Sequence, residues 1–230
     1  MIFRMILFFC LAFLISCSTP STPHHKILGT TYGFSGPGTE IITDAKINKL
    51  RVRHVRLARD ECSSGFIEHL EISGEIGPDS TAAIARLLPK LGKCYTSKTD
   101  YYSNQVYLSS GGGYLSDGYA LGNLFKKYGV QTEITGGQKC ASSCAIAFLG
   151  GKWRKMSYDS ELLFHAPYIP NGLAIDCSDR GQVSNLKSYF KNALGEKNGD
   201  FLFDRTMSYC SSDAVWTINA DTAKIFGITN

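Results

Sequence analysis

The sequence predicts an α/β protein with a largely parallel sheet. Segments with the alternating apolar pattern of strands are followed by segments with the i, i+3, i+4 apolar spacing of helices. This order repeats along the chain, which is typical of mostly parallel sheets. The 230 residues contain no internal repeat and no second domain, and they are sufficient for one domain with a substantial core.

The first strand and helix are predicted within 69–91. Residues 69–76 (HLEISGEI) place Leu70 and Ile72 on alternate positions. The next segment begins at Asp79 or Ser80, either of which is a suitable helix N-cap. Its apolar residues follow helical spacing: Ile84, Leu87, Leu88 and Leu91. Pro89 is expected to end or kink this helix.

Three later segments are predicted as strands: 105–113 (QVYLSSGGG), 130–135 (VQTEIT) and 161–168 (ELLFHAPY). Helices are predicted from Ser116 to a C-cap at Gly129 and over 143–150 (SCAIAFLG). A further amphipathic segment, 181–195, indicates either a helix packed on the core or a subunit contact. Segment 28–65 gives no clear pattern.

The N-terminus has the features of an export signal. Arg4 precedes an apolar run at 6–15, which is too short to span a bilayer of about 30 Å. The next residues, LISC, resemble the lipobox of bacterial lipoproteins, in which the cysteine is acylated after cleavage. The resemblance implies a signal peptide at 1–16, lipidation of Cys17 and a tether at 17–27. A transmembrane anchor and ordinary secretory cleavage are the alternatives.

Lipidation of Cys17 implies a protein anchored in the bacterial cell envelope, in the outer membrane and facing the periplasm. The formal net charge of +4 includes no long basic run, so nucleic-acid binding has little support. Six cysteines remain beyond Cys10 and Cys17, and an even number in an oxidising compartment indicates disulfides. These are Cys62, Cys94, Cys140, Cys144, Cys177 and Cys210. Zinc is the competing interpretation, but the usual close CxxC spacing is missing, so neither a metal nor a cofactor is predicted.

Residues with catalytic chemistry follow the predicted strands. The run SSGGG, which ends with Gly111, Gly112 and Gly113, exposes backbone amides that no side chain covers. Ser142 and Ser143 precede an apolar helix, where free N–H groups favour developing negative charge. His165 lies in a strongly apolar strand. Each feature also has a structural explanation: a turn, a helix cap and a core histidine, respectively.

Together these residues resemble the Clp-protease/crotonase-like superfamily, specifically exported bacterial proteins similar to the Clp proteolytic subunit. Gly112, Gly113 and Gly118 match the family's GG pair and the glycine five residues beyond it. Ser142 lies nine residues before Gly151, as the family's nucleophile lies before its helix-closing glycine, and His165 follows twenty-three residues later. The resemblance implies a fold of repeated β-β-α units with helices outside the sheet, over residues 66–230.

The third member of the triad matches less well. Ala223 and Gly227 fit the C-terminal pattern of the family, but this register places Val215 at the aspartate position. Asp213, two residues earlier, is the assignment chosen, because geometry and not chain position defines a triad. The remaining candidates are Asp176, Asp179 and Asp204.

The resemblance implies a serine peptidase that acts on peptide or unfolded-protein substrates. Ser142 would be the nucleophile and His165 its base, with Asp213 orienting the histidine and the Gly112 and Ser143 amides binding the oxyanion. Gly111 and Gly113 would contact substrate, and the subunits could form a homo-oligomer. A serine–lysine dyad with Lys139 and a non-catalytic peptide-binding module are the alternatives, whereas acyl-CoA chemistry does not suit an exported protein.

The family comparison also suggests a role for the two cysteines around the serines. A Cys140–Cys144 disulfide would clamp the turn that carries Ser142, because their Cα atoms could lie within the roughly 4.4–6.8 Å that a disulfide requires. The alternative is that each cysteine pairs elsewhere, with Cys177 or Cys210.

Overall fold

Nine strands and six helices make up the described part of the chain. The computed structural model describes residues 38–92, 94, 104–168, 183–210 and 214–230. The strands are β1 Thr39–Ile47, β2 Leu50–Ala58, β3 Phe66–Ile76, β4 Gln105–Gly113, β5 Gln131–Ile134, β6 Lys139–Ala141, β7 Trp153–Met156, β8 Glu161–Phe164 and β9 Trp216–Ile218. The helices are α1 Ser80–Leu87, α2 Leu115–Tyr128, α3 Ser143–Leu149, α4 Ser184–Leu194, α5 Glu196–Met207 and α6 Ala220–Ile225.

The sheet is mixed and branches at β4. Strands β1, β2 and β3 form an antiparallel meander, and β3 then pairs in parallel with β4. From β4 one branch continues through β5 to β7, and the other continues through β6 to β8, with parallel pairing throughout. Strand β9 closes the second branch by pairing antiparallel with β8. The predicted α/β fold with a largely parallel sheet is therefore confirmed.

Strands β1 and β2 come from the segment that gave no clear pattern in the sequence. Strand β1 has no buried residue, and in β2 the apolar residues do not alternate regularly because charged residues occupy buried positions, where they are paired across strands. Arg53 of β2 is buried and forms an ion pair with Glu71 of β3. Such pairing allows charges in a buried sheet, but the partner is not visible from periodicity.

Several predicted elements are found at the predicted residues. Strand β4 covers 105–113, and α2 ends at Gly129 with φ 60°, in the left-handed conformation that glycine adopts easily. The N-cap residue of α1 is Asp79, one of the two predicted residues, but its side chain makes no capping hydrogen bond. The Ser80 hydroxyl accepts from the Gly77 amide at 3.0 Å. A short 3-10 turn, Leu88–Lys90, contains Pro89 and ends the helix as expected.

The core lies between the sheet and the helices. Helix α3 is buried along its whole length and packs against α2. Helix α4 lies within the segment predicted to be amphipathic, and its residues Leu186 and Phe190 are buried on the core. Helix α5, which the sequence analysis did not identify, packs beside α4. Within the described residues, no helix has the length and apolar content needed to cross a bilayer.

A disulfide joins the turn after β2 to the segment after α1. Cys62 and Cys94 are bonded, with Cα atoms 5.0 Å apart, and both are buried. Cys210 is also disulfide-bonded, and its sulfur lies 3.5 Å from the Met207 carbonyl oxygen. Cysteines in disulfides are not available as zinc ligands. Cys177 and Cys17, with the predicted signal peptide 1–16 and tether 17–27, lie outside the described residues.

Candidate active site

Ser142 occupies a strained turn between β6 and α3. Its backbone has φ 54° and ψ −123°, a conformation that costs free energy in a non-glycine residue. The Ser142 amide donates to the Leu163 carbonyl of β8 at 2.9 Å, and the Ser142 carbonyl accepts from Ile146 at 3.1 Å. The turn is therefore held by the neighbouring strand on one side and by the first turn of α3 on the other.

A disulfide encloses this turn. Cys140 and Cys144 are bonded, with Cα atoms 5.2 Å apart and both side chains fully buried. The pairing suggested for these two cysteines is present, and the alternative partners for Cys140 are wrong. The bond joins the last part of β6 to the first turn of α3, so Ser142 lies inside a covalent ring.

The glycine ledge, defined here as Gly111, Gly112 and Gly113, runs beside the serine turn. Gly112 has φ 101°, and a Cβ atom added to it would lie 2.7 Å from Ser142 Cβ and 3.2 Å from the Ser143 amide nitrogen. Only glycine permits this approach. The Gly112 amide is not free, since it donates to the Ser110 hydroxyl at 3.0 Å, and that hydroxyl in turn donates to the Gly74 carbonyl.

Helices α2 and α4 both contact α3. Gly118 of α2 packs against Ser143, where an added Cβ would lie 2.7 Å from the Ser143 carbonyl oxygen. This contact explains why a glycine is needed five residues after the ledge. On α4, the Tyr189 hydroxyl donates to the Ile146 carbonyl at 2.8 Å, and burial raises the pKa of Tyr189, so the phenol remains a donor.

His165 lies directly after β8, the strand that pairs with β6. Leu163 is in register with Ala141, so the chain places His165 and Ser142 at the same end of adjacent parallel strands. The His165 Nδ1 atom lies 2.8 Å from the Ala166 carbonyl oxygen. Because a carbonyl only accepts, Nδ1 carries the hydrogen, and in the neutral ring Nε2 can accept a proton.

Ser142 and His165 line one cleft of about 680 Å³. The ledge, Tyr114 and Tyr168 contribute to its exposed part, with the Tyr168 ring 5.3 Å from the His165 ring. The described residues show no hydrogen bond between the serine and the histidine. Such bonds are often long before substrate binds, so the shared cleft is the relevant observation.

The remaining predicted residues are Lys139 and the four candidate aspartates. The Lys139 ammonium lies 2.7 Å from the Glu161 carboxylate, and Lys139 is not among the cleft-lining residues. Asp204 does not line the cleft either. Asp213, Asp176 and Asp179 lie outside the described residues.

Some site residues were not predicted from the sequence. Ser110 precedes the glycines directly, and its position could have suggested a contact with the ledge. Glu75, Leu186 and Thr206 also line the cleft but come from β3, α4 and α5. Since only tertiary packing brings these elements to the cleft, no local pattern identifies them.

The chain was compared with known proteins. No protein-family profile matches it, and no curated protein matches it. Among solved structures it is similar to a ClpP1 mutant from Listeria monocytogenes, with 15% identity, a TM-score of 0.48 and coverage of 68% of this chain and 85% of the other. It is also similar to the ClpP protease catalytic domain from Plasmodium falciparum, with 18% identity, a TM-score of 0.48 and coverage of 68% and 79%.

Proposed function

We propose that this protein is a serine hydrolase that cleaves peptide bonds through an acyl-enzyme on Ser142. The observation that carries the proposal is the cleft shared by Ser142, His165 and the glycine ledge. A serine on a strained turn, a histidine whose Nε2 can accept a proton and exposed glycine backbone are the parts that acyl transfer to water requires.

In the proposed reaction, His165 Nε2 removes the Ser142 hydroxyl proton as the oxygen attacks the substrate carbonyl. The protonated histidine then gives that proton to the departing amine, which leaves an ester on Ser142. Water attacks the ester in the same way, with His165 again as base, and the serine is regenerated. No cofactor or metal is needed for these steps.

Backbone amides are proposed to stabilise the oxyanion. We propose the Ser143 amide as one donor. The Gly112 amide donates to Ser110, and the Tyr114 amide donates to the Ile76 carbonyl of β3. Since alternate amides of a strand point in opposite directions, the intervening Gly113 amide is directed away from β3, and we propose it as the second donor.

The histidine needs a group that fixes its tautomer. The Ala166 carbonyl holds Nδ1–H in the described structure, and we propose that Asp213 takes this role only if its loop brings the carboxylate to the same atom. A backbone carbonyl fixes the tautomer but stabilises the imidazolium less than a carboxylate does, so turnover with the carbonyl alone would be slow.

The remaining proposals concern the location, the substrates and the assembly of the protein. Lipidation of Cys17 would anchor the protein in the cell envelope facing the periplasm, where disulfides persist. Substrates would be peptides or unfolded proteins, and a homo-oligomer is the expected assembly. None of these proposals depends on nucleic acid.

The second candidate function is a non-catalytic peptide-binding module. The occupied Gly112 amide favours it, because one of the two predicted oxyanion donors already has a partner. In that case an extended peptide would lie along the ledge by strand addition, and Ser142 would only begin the helix.

Labelling with a fluorophosphonate separates the two functions. Residues 26–230 are purified under oxidising conditions, and the Ser142→Ala, His165→Ala and Ser143→Ala variants are compared. We expect the first two substitutions to abolish labelling and the third to retain it, since alanine keeps the backbone amide. A folded wild-type protein that does not react would favour the binding module.

A further inference from the structure

One wall of the cleft is apolar and is built from elements far apart in the chain. Its members are Ile146 of α3, Phe164 of β8, Leu186 of α4 and Thr206 of α5, and none is more than 4% exposed. The Ile146 amide donates to the Ser142 carbonyl at 3.1 Å, so the wall begins one helical turn from the proposed nucleophile. A substrate side chain next to the scissile bond would contact it.

Thr206 is the polar member of this wall. It is 1% exposed, and its hydroxyl has no hydrogen-bond partner within the described part of the chain. A helical serine or threonine usually donates to the carbonyl four residues earlier, as Ser208 does to Asp204 at 2.8 Å. Because a buried hydroxyl without a partner destabilises the fold, its place at a cleft indicates a group that arrives with a ligand.

Backbone bonds fix Thr206 relative to His165. The Thr206 carbonyl accepts from the Tyr209 amide at 3.2 Å, and the Tyr209 carbonyl accepts from the Ala166 amide at 2.8 Å. The Ala166 carbonyl is the group that holds His165 Nδ1. The end of α5 therefore cannot move away from the histidine without breaking this chain of bonds.

We infer that the cleft selects a substrate residue with an unbranched, uncharged side chain that ends in a carboxamide, as glutamine does, before the scissile bond. This inference rests on the proposed function. The methylene groups would contact Ile146, Phe164 and Leu186, and the carboxamide would both donate to and accept from the Thr206 hydroxyl.

A charged side chain does not suit this wall. Among the described cleft-lining residues, Glu75 is the only aspartate, glutamate, lysine or arginine, and its carboxylate pairs with Lys49 at 2.9 Å. A lysine or glutamate side chain at the wall would lose its hydration without gaining a counter-charge.

Two tripeptidyl phosphonate esters test the inference by the rate at which they label Ser142. They are identical except that one carries a glutamine side chain and the other carries homoleucine, which has the same shape without the polar groups. We expect the glutamine probe to react about tenfold faster, the effect of about one hydrogen bond. Thr206→Val should remove the preference, whereas Thr206→Ser should keep it.

The outcomes separate this inference from the proposed function. Thermal unfolding of Thr206→Val verifies its fold, and Thr206→Ser retains the hydroxyl if valine is not tolerated. If Thr206→Val leaves the ratio unchanged, or wild type prefers homoleucine, the inference is overturned. The inference is also overturned if a small fluorophosphonate labels Ser142 but the glutamine probe does not. If neither probe type labels Ser142, the proposed function fails and the inference falls with it.

Discussion

At the scale of single residues, the sequence identified the groups that the structure brings to one cleft. Ser142, His165 and the three glycines were predicted because their residue types and spacings carry chemistry. The partners of these groups were not predicted. Ser110 and Ala166 contact Gly112 and His165 from nearby positions in the chain, whereas Thr206 reaches the cleft only through tertiary packing. The amide of Gly112 illustrates the difference, because its local position suggests a free donor and its neighbour Ser110 occupies it.

Ser110 is predicted to position the ledge. Ser110→Ala removes both the bond from the Gly112 amide and the bond to the Gly74 carbonyl. If the ledge carries an oxyanion donor, fluorophosphonate labelling of Ser142 should slow about tenfold, the effect of one net hydrogen bond. Ser116→Ala is the control, since Ser116 lines the same cleft but is outside the ledge. Equal labelling rates in the two variants would contradict this role.

At the scale of elements, strands and helices with one regular apolar face were predictable, and the others were not. Strand β4 and helix α2 follow simple periodicity, whereas β2 contains charged residues that ion pairs neutralise inside the sheet. Short elements were also missed. Strands β6 and β9 have three residues each, which is too few for a pattern, although β6 carries the serine turn.

The two disulfides whose partners are both described should contribute differently to stability and to the labelling of Ser142. Loop-closure entropy predicts a loss of about 2 kcal/mol for Cys140→Ser with Cys144→Ser and about 4 kcal/mol for Cys62→Ser with Cys94→Ser, because the second pair closes a longer loop. Fluorophosphonate labelling should slow only in the first double variant, whose disulfide encloses Ser142. Urea denaturation and labelling rates measure the two effects. If the labelling rate instead fell in proportion to the loss of stability in both double variants, the Cys140–Cys144 disulfide would have no specific role at Ser142.

At the scale of the whole molecule, two buried polar groups link distant parts of the fold. His69 of β3 is fully buried near Glu71, and its ring lies 4.8 Å from the Tyr107 ring of β4. Arg154 of β7 donates to the carbonyls of Gly151, Gly227 and Ile228. The last segment of the chain is thereby attached to the branch of the sheet that does not carry the site.

Stability should fall on mild acidification because of His69. Burial lowers the pKa of His69, an effect that Glu71 opposes and that the electrostatic influence of His54 and Arg53 reinforces. Below an unfolded-state pKa of about 6.5, the unfolded chain binds a proton that the folded chain excludes, so the free energy of unfolding decreases as pH falls. Urea denaturation at pH 7.5 and 5.5 measures the decrease. His69→Asn should reduce it, and an unchanged pH dependence in that variant would contradict the assignment.

Arg154 should be important for stability and not for labelling. Arg154→Met leaves buried carbonyl groups without donors, and we expect a loss of about 2 to 4 kcal/mol in the free energy of unfolding. Lys155→Met, an exposed neighbour on the same strand, should change stability by less than about 0.5 kcal/mol. Labelling of Ser142 well below the unfolding temperature should remain, and its loss would mean that the C-terminal segment also shapes the cleft.

The disulfide around Ser142 also has a consequence for the order of oxidative folding. Cys140 and Cys144 are four positions apart, whereas Cys62 and Cys94 are thirty-two apart. Thiols separated by a shorter stretch of chain meet more often in an unfolded polypeptide. We therefore expect the small ring to form first when the reduced, unfolded chain is oxidised. The geometry around the serine would then be imposed covalently before the long-range strand pairings that surround it exist.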